Sequence, residues 1–197
     1  KTVTAAKKID IGSGTGVSGV DATGTLGLSS TELNFITAGN LVVGDATNTG
    51  GIKVSAATTT NATTGNLTLL NGGNIAIDGA LTVGGATPTK NLTLNGAGIT
   101  SAITQSAAIK AAGLELLGSK ATHTLNNSSN DIKKLAGNTK TASVTNNVNF
   151  SIDTVNTVGL TTSGTTTLSS TATVTQTQAI SAAGLELQGT NGTHNLN

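Results

Sequence analysis

The chain has 197 residues and a formal net charge of +1, and only 10% of its residues are charged. Every basic residue is lysine and cysteine is absent, which argues against nucleic-acid binding, a disulfide framework and thiol catalysis. No apolar run is long enough for a membrane-spanning helix, and the chain is too hydrophobic and too weakly charged to be disordered.

Short strands are predicted along the whole chain by triplets in which one residue separates two apolar residues. Spacers rich in glycine, asparagine and aspartate lie between them and predict turns. The Ala-rich stretch 106–118 has some helical spacing, but Gly113 and its triplet favour a strand. With two phenylalanines and no tyrosine or tryptophan, the core must consist of small aliphatic side chains. The triplets are IDI (9–11), LVV (41–43), IKV (52–54), LTL (67–69), IAI (75–77), LTV (81–83), LTL (92–94), LEL (114–116) and LEL (185–187).

A long repeat distinguishes an antiparallel sandwich from a coiled chain. Residues 103–126 align with 174–197 without a gap, 71 residues further on. A solenoid tolerates such repetition because each coil contacts only its neighbours. With roughly 18–24 residues a coil, the copies would be three or four coils apart, roughly 14–19 Å along one axis. The sequence therefore predicts an all-β fold, a right-handed parallel β-helix that forms one continuous segment over 1–197.

The alternation of side chains assigns faces to the repeated triplet. We expect Leu114, Leu116, Leu185 and Leu187 to be buried, with Glu115 and Glu186 exposed between them. Asparagines at turns can form amide ladders between stacked coils. The candidates for such ladders are Asn71, Asn74, Asn91, Asn126, Asn127 and Asn130.

The amino-acid sequences of several coils resemble those of a known class of exported proteins. The segments 24–57, 66–85 and 111–139 are similar to coils of filamentous-haemagglutinin-like adhesins, the large exoproteins of two-partner secretion in Gram-negative bacteria. The resemblance implies a β-helical shaft that holds adhesive regions away from the cell, and a location that is secreted or on the cell surface. It also implies an outer-membrane secretion partner and host-cell or biofilm glycans or proteins as ligands.

The family's secretion domain carries Asn-Pro-Asn motifs, whereas the single proline here, Pro88, lies in TPTK. The resemblance therefore indicates a piece of shaft whose nearest partners are neighbouring coils of a longer chain. Neither end resembles a capping repeat, so we expect the isolated chain to fray at its ends or to associate end to end.

Motifs that could carry chemistry are weak. GSGTG (12–16) lacks the helix of a phosphate-binding loop, so a turn is predicted. DATGTLG (21–27) and GDATNTG (44–50) offer one carboxylate each, which favours an Asx-turn over a calcium site. His123 and His194 lie too far apart to share a metal, and each is expected to be a half-exposed strand or turn residue. Glu115 and Glu186 are likewise too far apart for a glycosidase pair.

We therefore expect no catalytic, cofactor-binding or metal-binding residue and no enzymatic activity. A β-helical polysaccharide lyase is the enzymatic alternative, but its clustered acids are missing. A lateral carbohydrate- or ice-binding module is the other alternative, because Thr171, Thr173, Thr175 and Thr177 share one face. Glycosylation is a further option at the N-x-[ST] triplets that begin at Asn61, Asn66, Asn91, Asn126, Asn127 and Asn191.

Overall fold

The predicted fold class is confirmed. A computed structural model describes residues 6–12, 21 and 23–197. It is a parallel β-solenoid of about 7 turns, with 55% of residues in strands and 4% in helices. All pairings between the named strands are parallel, and one isolated antiparallel bridge joins Thr154 to Val158 in an outward loop.

The chain runs through nineteen strands and one short α-helix, α1 (Ser30–Asn34), with a 3₁₀ turn at Ala62–Thr64. Two strands are much longer than the rest, because they continue around corners of the coil. The strands are β1 (Lys8–Ile11), β2 (Thr25–Leu28), β3 (Asn40–Asp45), β4 (Ile52–Val54), β5 (Thr58–Thr59), β6 (Asn66–Asn71), β7 (Ile75–Ile77), β8 (Leu81–Thr82), β9 (Asn91–Gly96), β10 (Ala102–Gln105), β11 (Ile109–Leu125), β12 (Asp131–Asn146), β13 (Phe150–Ile152), β14 (Leu160–Thr162), β15 (Thr165–Ser170), β16 (Thr173–Gln176), β17 (Ile180–Ser181), β18 (Gly184–Gln188) and β19 (Thr193–Asn195).

Three ladders of stacked strands surround the core, and one of them, β5–β8–β11–β12, contributes the buried Leu81, Ile109 and Ile132. Ladder A is β3–β6–β9–β11–β12, and its inward side chains are Leu41, Leu67, Leu92, Leu114 and Leu135 in successive coils. Ladder B is β2–β1–β4–β7–β10–β11–β12–β15–β18. Each inward position of a strand contributes one side chain per layer, and most of these side chains are aliphatic, which explains how the chain builds a core with two phenylalanines.

Ladder A divides after β12. Both β13 and β14 pair with β12, at separate parts of that strand. The chain between them, residues 153–159, leaves the coil and folds back over its outer surface. We call this segment the strap.

The N-terminal coils contain an element that the sequence did not predict. Strand β1 lies between β2 and β4, so β2 is the outermost of the described strands at this end of ladder B. Helix α1 follows β2 and buries Leu33 completely. Its capping box joins Ser29 and Glu32 through bonds of 2.8 and 3.2 Å. The S-x-x-E spacing in the sequence was the available signal for this helix.

Candidate functional site

The two copies of the repeat lie on different ladders. Leu114 and Leu116 stack on Leu92 and Leu94 in ladder A, whereas Leu185 and Leu187 stack on β15 in ladder B. The two LEL triplets therefore lie on different faces of the solenoid. Stacked partners are 28 residues apart between β7 and β10 but 19 apart between β15 and β18, so 71 residues is not a whole number of turns.

The predicted burial of the leucines is confirmed in the first copy and wrong in the second. Leu114 and Leu116 are fully buried, whereas Leu185 and Leu187 are 45% and 42% exposed. The second pair still points inward, since Leu187 lies against the buried Leu168. Strand β18 has a ladder neighbour on one side only, so no further layer covers these side chains in the described chain.

The expected exposure of Glu115 is also wrong. The carboxylate points outward from ladder A, as the alternation predicts, but it is only 2% exposed because the strap covers it. Thr157 donates to Oε1 from its backbone nitrogen and from its hydroxyl, both at 2.7 Å. Asn156 Nδ2 and Thr93 Oγ1 each donate to Oε2 at 2.8 Å. The carboxylate therefore accepts four hydrogen bonds from two other coils.

The surroundings of Glu115 keep it ionised. Burial by itself would raise its pKa, but the hydrogen bonds from Asn156, Thr157 and Thr93 outweigh that effect and the pKa is lowered. Ionised carboxylates accept hydrogen bonds more strongly than neutral groups do. Glu115 is thus a buried, ionised carboxylate that accepts hydrogen bonds from other coils.

Small residues make room for the strap. Val155 lies over Gly113, where a Cβ atom would come within 3.0 Å of Val155 Cγ2. The ladder partner of Glu115 is Ala136, which is buried although it belongs to the outer face. Lys134 pairs with Asp153 at 2.7 Å and lowers the pKa of that carboxyl group. The strap is therefore fastened at its start by an ion pair and at its middle by Glu115.

His123 is fully buried, so its prediction as a half-exposed residue is wrong. It occupies the inward position between Ile103 and Ala142 in ladder B. Nε2 lies 3.2 Å from the carbonyl oxygen of Leu94, which can only accept, so Nε2 carries the proton. Nδ1 lies 3.0 Å from the Thr139 hydroxyl and accepts from it. Burial lowers the pKa of His123 to about 4, against weaker opposing effects of backbone hydrogen bonds.

The equivalent residues of the second copy are more accessible. Glu186 is exposed, as predicted, and accepts one hydrogen bond from the Thr167 hydroxyl at 3.1 Å. His194 is partly buried and stacks on Val174. Strands β12 and β15 separate the layers of β11 and β18, so the structure brings together neither the two histidines nor the two glutamates.

The Asx-turn predicted in preference to a calcium site is present in 44–50, whereas residues 25–27 of the segment 21–27 belong to β2. Asp45 accepts from the Thr47 nitrogen at 2.9 Å, which is the Asx-turn predicted for 44–50. In the described parts of the chain, no three His, Cys, Asp or Glu residues cluster to hold a metal. Most of GSGTG (12–16) and Ala22 within 21–27 lie outside the described residues.

Side-chain amide contacts between coils form at the predicted Asn130 and also at Asn40 and Asn66, which were not among the predicted positions. The Asn66 amide donates to Asn40 Oδ1 at 3.0 Å and accepts from the Asn91 backbone at 3.0 Å. At the predicted position Asn130, the buried side-chain amide donates to Gln105 Oε1 of the preceding coil at 3.1 Å and accepts from Gln105 Nε2. It also bonds the Leu125 and Thr145 carbonyls and the Ile109 nitrogen. Asn61 caps the 3₁₀ turn and is not free for glycosylation, whereas Asn191 is exposed in a turn with φ 65°.

A hydroxyl-rich surface on ladder B was missed by the sequence analysis. Outward positions of β10, β11, β12 and β15 align in columns, with Thr124 beside Ser143 and Ser143 beside Thr167. The signal was the T-x-[TS] triplet, which recurs at irregular sequence spacings and so does not stand out as a repeat. We call it the hydroxyl face, and it consists of Thr104, Thr122, Thr124, Thr141, Ser143, Thr145, Thr165, Thr167 and Ser169.

Comparisons with protein-family models, with characterised proteins and with solved structures give no significant match. Among the described residues, no helix has the length and apolarity needed to cross a membrane.

Proposed function

We propose that the chain is part of the shaft of a large bacterial adhesin, secreted or tethered at the surface of a Gram-negative cell. It acts as a rigid spacer that displays binding regions of the parent protein and performs no catalysis. The observation that carries the proposal is the continuous stack of parallel strands over a largely aliphatic core. About 7 turns at ~4.8 Å each give roughly 30 Å of uninterrupted ladder.

The chemistry of the charged residues supports a mechanical role. Glu115 and His123 are both withdrawn from solvent, and their polar atoms are occupied by partners in adjacent coils. Such groups stabilise and specify the packing of a core rather than react with a ligand. The resemblance to two-partner-secretion exoproteins supplies the cellular setting of the proposal.

A spacer-replacement experiment tests this function. In the source bacterium, the segment of the parent protein that corresponds to this chain would be replaced by an unrelated β-solenoid with the same number of turns. Adhesion to host cells should persist with this spacer and should fall when the segment is deleted outright. Loss of adhesion in both strains would mean that this segment itself binds the target. Failure of antibodies against residues 1–197 to label intact cells would contradict the proposed location.

The hydroxyl face supports a second candidate, a lateral binding module. Its members are spaced ~4.8 Å apart across strands and about 6.7 Å apart along each strand, so hydroxyl and methyl groups repeat in two dimensions. It contains no charged residue and no aromatic residue. Sugars are commonly bound through aromatic surfaces, so this face favours a periodic uncharged solid such as ice over a free glycan.

Ice recrystallisation assays separate this candidate from a passive shaft. The wild-type chain should suppress the growth of ice grains if the face binds ice, and T124K with T141K should abolish that effect. Thr161 is exposed on β14, outside the hydroxyl face, so T161K is the matched control. A wild-type chain without effect on ice, or equal loss in the control, would eliminate ice binding. A glycan array on the same proteins tests the carbohydrate version.

A further inference from the structure

The strap contacts coils that are not its neighbours. In a solenoid each coil normally contacts only the coil before it and the coil after it. Asn156 and Thr157 leave the coil that contains β13 and β14, pass over β12, and bind Glu115 in β11. They are separated from Glu115 by 41 and 42 residues. Glu115 in turn accepts from Thr93 in β9. The Glu115 carboxylate thus connects the coil of β11 directly to the coil of β9 and to the coil that contains the strap. The coil of β12 lies between β11 and the strap's own coil, and the strap passes over it.

The geometry points to an interlock: we propose that Glu115 and the strap bind the coils of β9, β11, β12 and β14 into one cooperative unit that stops unspooling of the solenoid from its C-terminal side. Coils that follow the strap can open singly, since each has only nearest-neighbour contacts. Opening of the β12 coil requires the strap to leave Glu115 first. The interlock is a property of the fold and holds whether or not the chain serves as an adhesin shaft.

The cost of opening comes from groups that lose their partners together. Release of the strap breaks all three of its bonds to Glu115 and leaves only the Thr93 bond. It also exposes the packed surface of Val155 over Gly113. These contacts are formed by one short segment, so they are lost in one step rather than one after another. Because these contacts are lost together, the coils that they join should open as one cooperative unit.

The second copy of the repeat provides a built-in control. Glu186 has the same sequence neighbours, Leu185 and Leu187, but it bonds only to Thr167 in the adjacent strand. No segment passes over it among the described residues. Its coil therefore has nearest-neighbour contacts alone, and it should open independently of the coils within the interlock.

Native-state hydrogen exchange of E115Q tests the proposal, with E186Q as the matched control. Glutamine keeps the shape of glutamate but replaces one acceptor oxygen with an amide NH2 group. This NH2 group donates hydrogen bonds, and in this site it would face the donors of Thr93, Asn156 or Thr157. In the wild-type chain, amides of β11, β12 and β14 should exchange through one common opening with the same denaturant dependence. In E115Q, the amides of β12 and β14 should exchange at least threefold faster than those of β11, whereas E186Q should change them less than threefold.

Two results would overturn the interlock. One is wild-type exchange in which β12 opens separately from β11 and β14. The other is an E115Q protein in which the Thr157 amide exchanges faster while β11, β12 and β14 still open together, because the strap would then be a local loop. If E115Q fails to fold, N156A removes a single strap contact and is judged by the same threefold criterion. Loss of the interlock would not affect the spacer-replacement result, so the two proposals can fail separately.

Discussion

Leu116 and Leu187 occupy the same position in two copies of one repeat, and their surroundings differ completely. The first is sealed within ladder A, whereas the second is 42% exposed in ladder B. The same contrast holds for Glu115 against Glu186 and for His123 against His194. A repeated sequence therefore does not repeat its environment in this solenoid, because coil length, ladder and layer decide which neighbours each copy meets.

The largest difference is expected from the leucines. Changing Leu116 to alanine removes a fully buried side chain and leaves a cavity, which should lower the free energy of unfolding by about 3–5 kcal/mol. The same change at Leu187 should cost about 1 kcal/mol or less, since much of that side chain is already in water. Denaturant unfolding followed by circular dichroism measures both. Equal costs would show that Leu187 is covered in solution, for instance by association of chains.

The histidines should differ in their response to acid. The folded-state pKa of His123 is about 4, below the unfolded value of about 6.5, so only the unfolded chain gains a proton between these values. The stabilising effect of neutral His123 is complete above pH 6.5 and is lost as the pH falls toward 4, by about 3 kcal/mol in total.

The H123L variant should lose this acid sensitivity, whereas H194L should retain it. Thr139 remains satisfied in H123L, because its hydroxyl also lies within 3.0 Å of the Gly118 and Ala121 carbonyl oxygens. The free energy of unfolding of both variants, measured at several pH values between 4 and 7, shows whether His123 is the source of the acid sensitivity. The lowered pKa of Glu115 adds a separate loss at still lower pH, which should persist in both variants. Unchanged acid sensitivity in H123L would place the titrating group elsewhere.

The glycines that precede the two LEL triplets should respond differently to an added methyl group. At Gly113 a Cβ atom would approach Asn91 Oδ1 to 2.7 Å and Val155 Cγ2 to 3.0 Å, and both must move. G113A should therefore cost about 1–2 kcal/mol. At Gly184 the nearest atom would be 3.4 Å away, an ordinary contact, so G184A should be neutral or slightly stabilising. Thermal unfolding of the two variants measures the difference, and the opposite order would contradict the position of the strap.

The smallest effect is expected from the ion pair at the start of the strap. Lys134 is about half exposed, so D153N should cost about 0.5 kcal/mol or less, and 1 M salt should remove most of that difference. The acceptor for the Thr154 nitrogen survives in asparagine. A cost that is large and insensitive to salt would show that Asp153 has a structural role beyond the pair.

The alternation of apolar residues predicted the short strands and the inward leucines of the first copy, and the long repeat was needed to predict the parallel solenoid. It also predicted correctly that Glu115 points away from the core. It could not predict that residues 153–159 fold back over that carboxylate, because no local pattern distinguishes this loop from other polar turns. The buried state of His123 was missed for a similar reason, since a lone histidine between two threonines looks like a residue of an exposed strand.

The sequence by itself determined which side of each strand faces the core, because side-chain direction alternates with every residue and depends on no distant contact. Only the tertiary structure decided which faces are covered and which ladder each copy joins. Coil lengths differ by several residues at corners, where glycine and asparagine turns absorb the change, and these differences accumulate along the chain. Glu115 is buried because the strap crosses it, and Leu187 is exposed because β15 is the only described strand that pairs with β18. Neither contact is encoded in sequence periodicity.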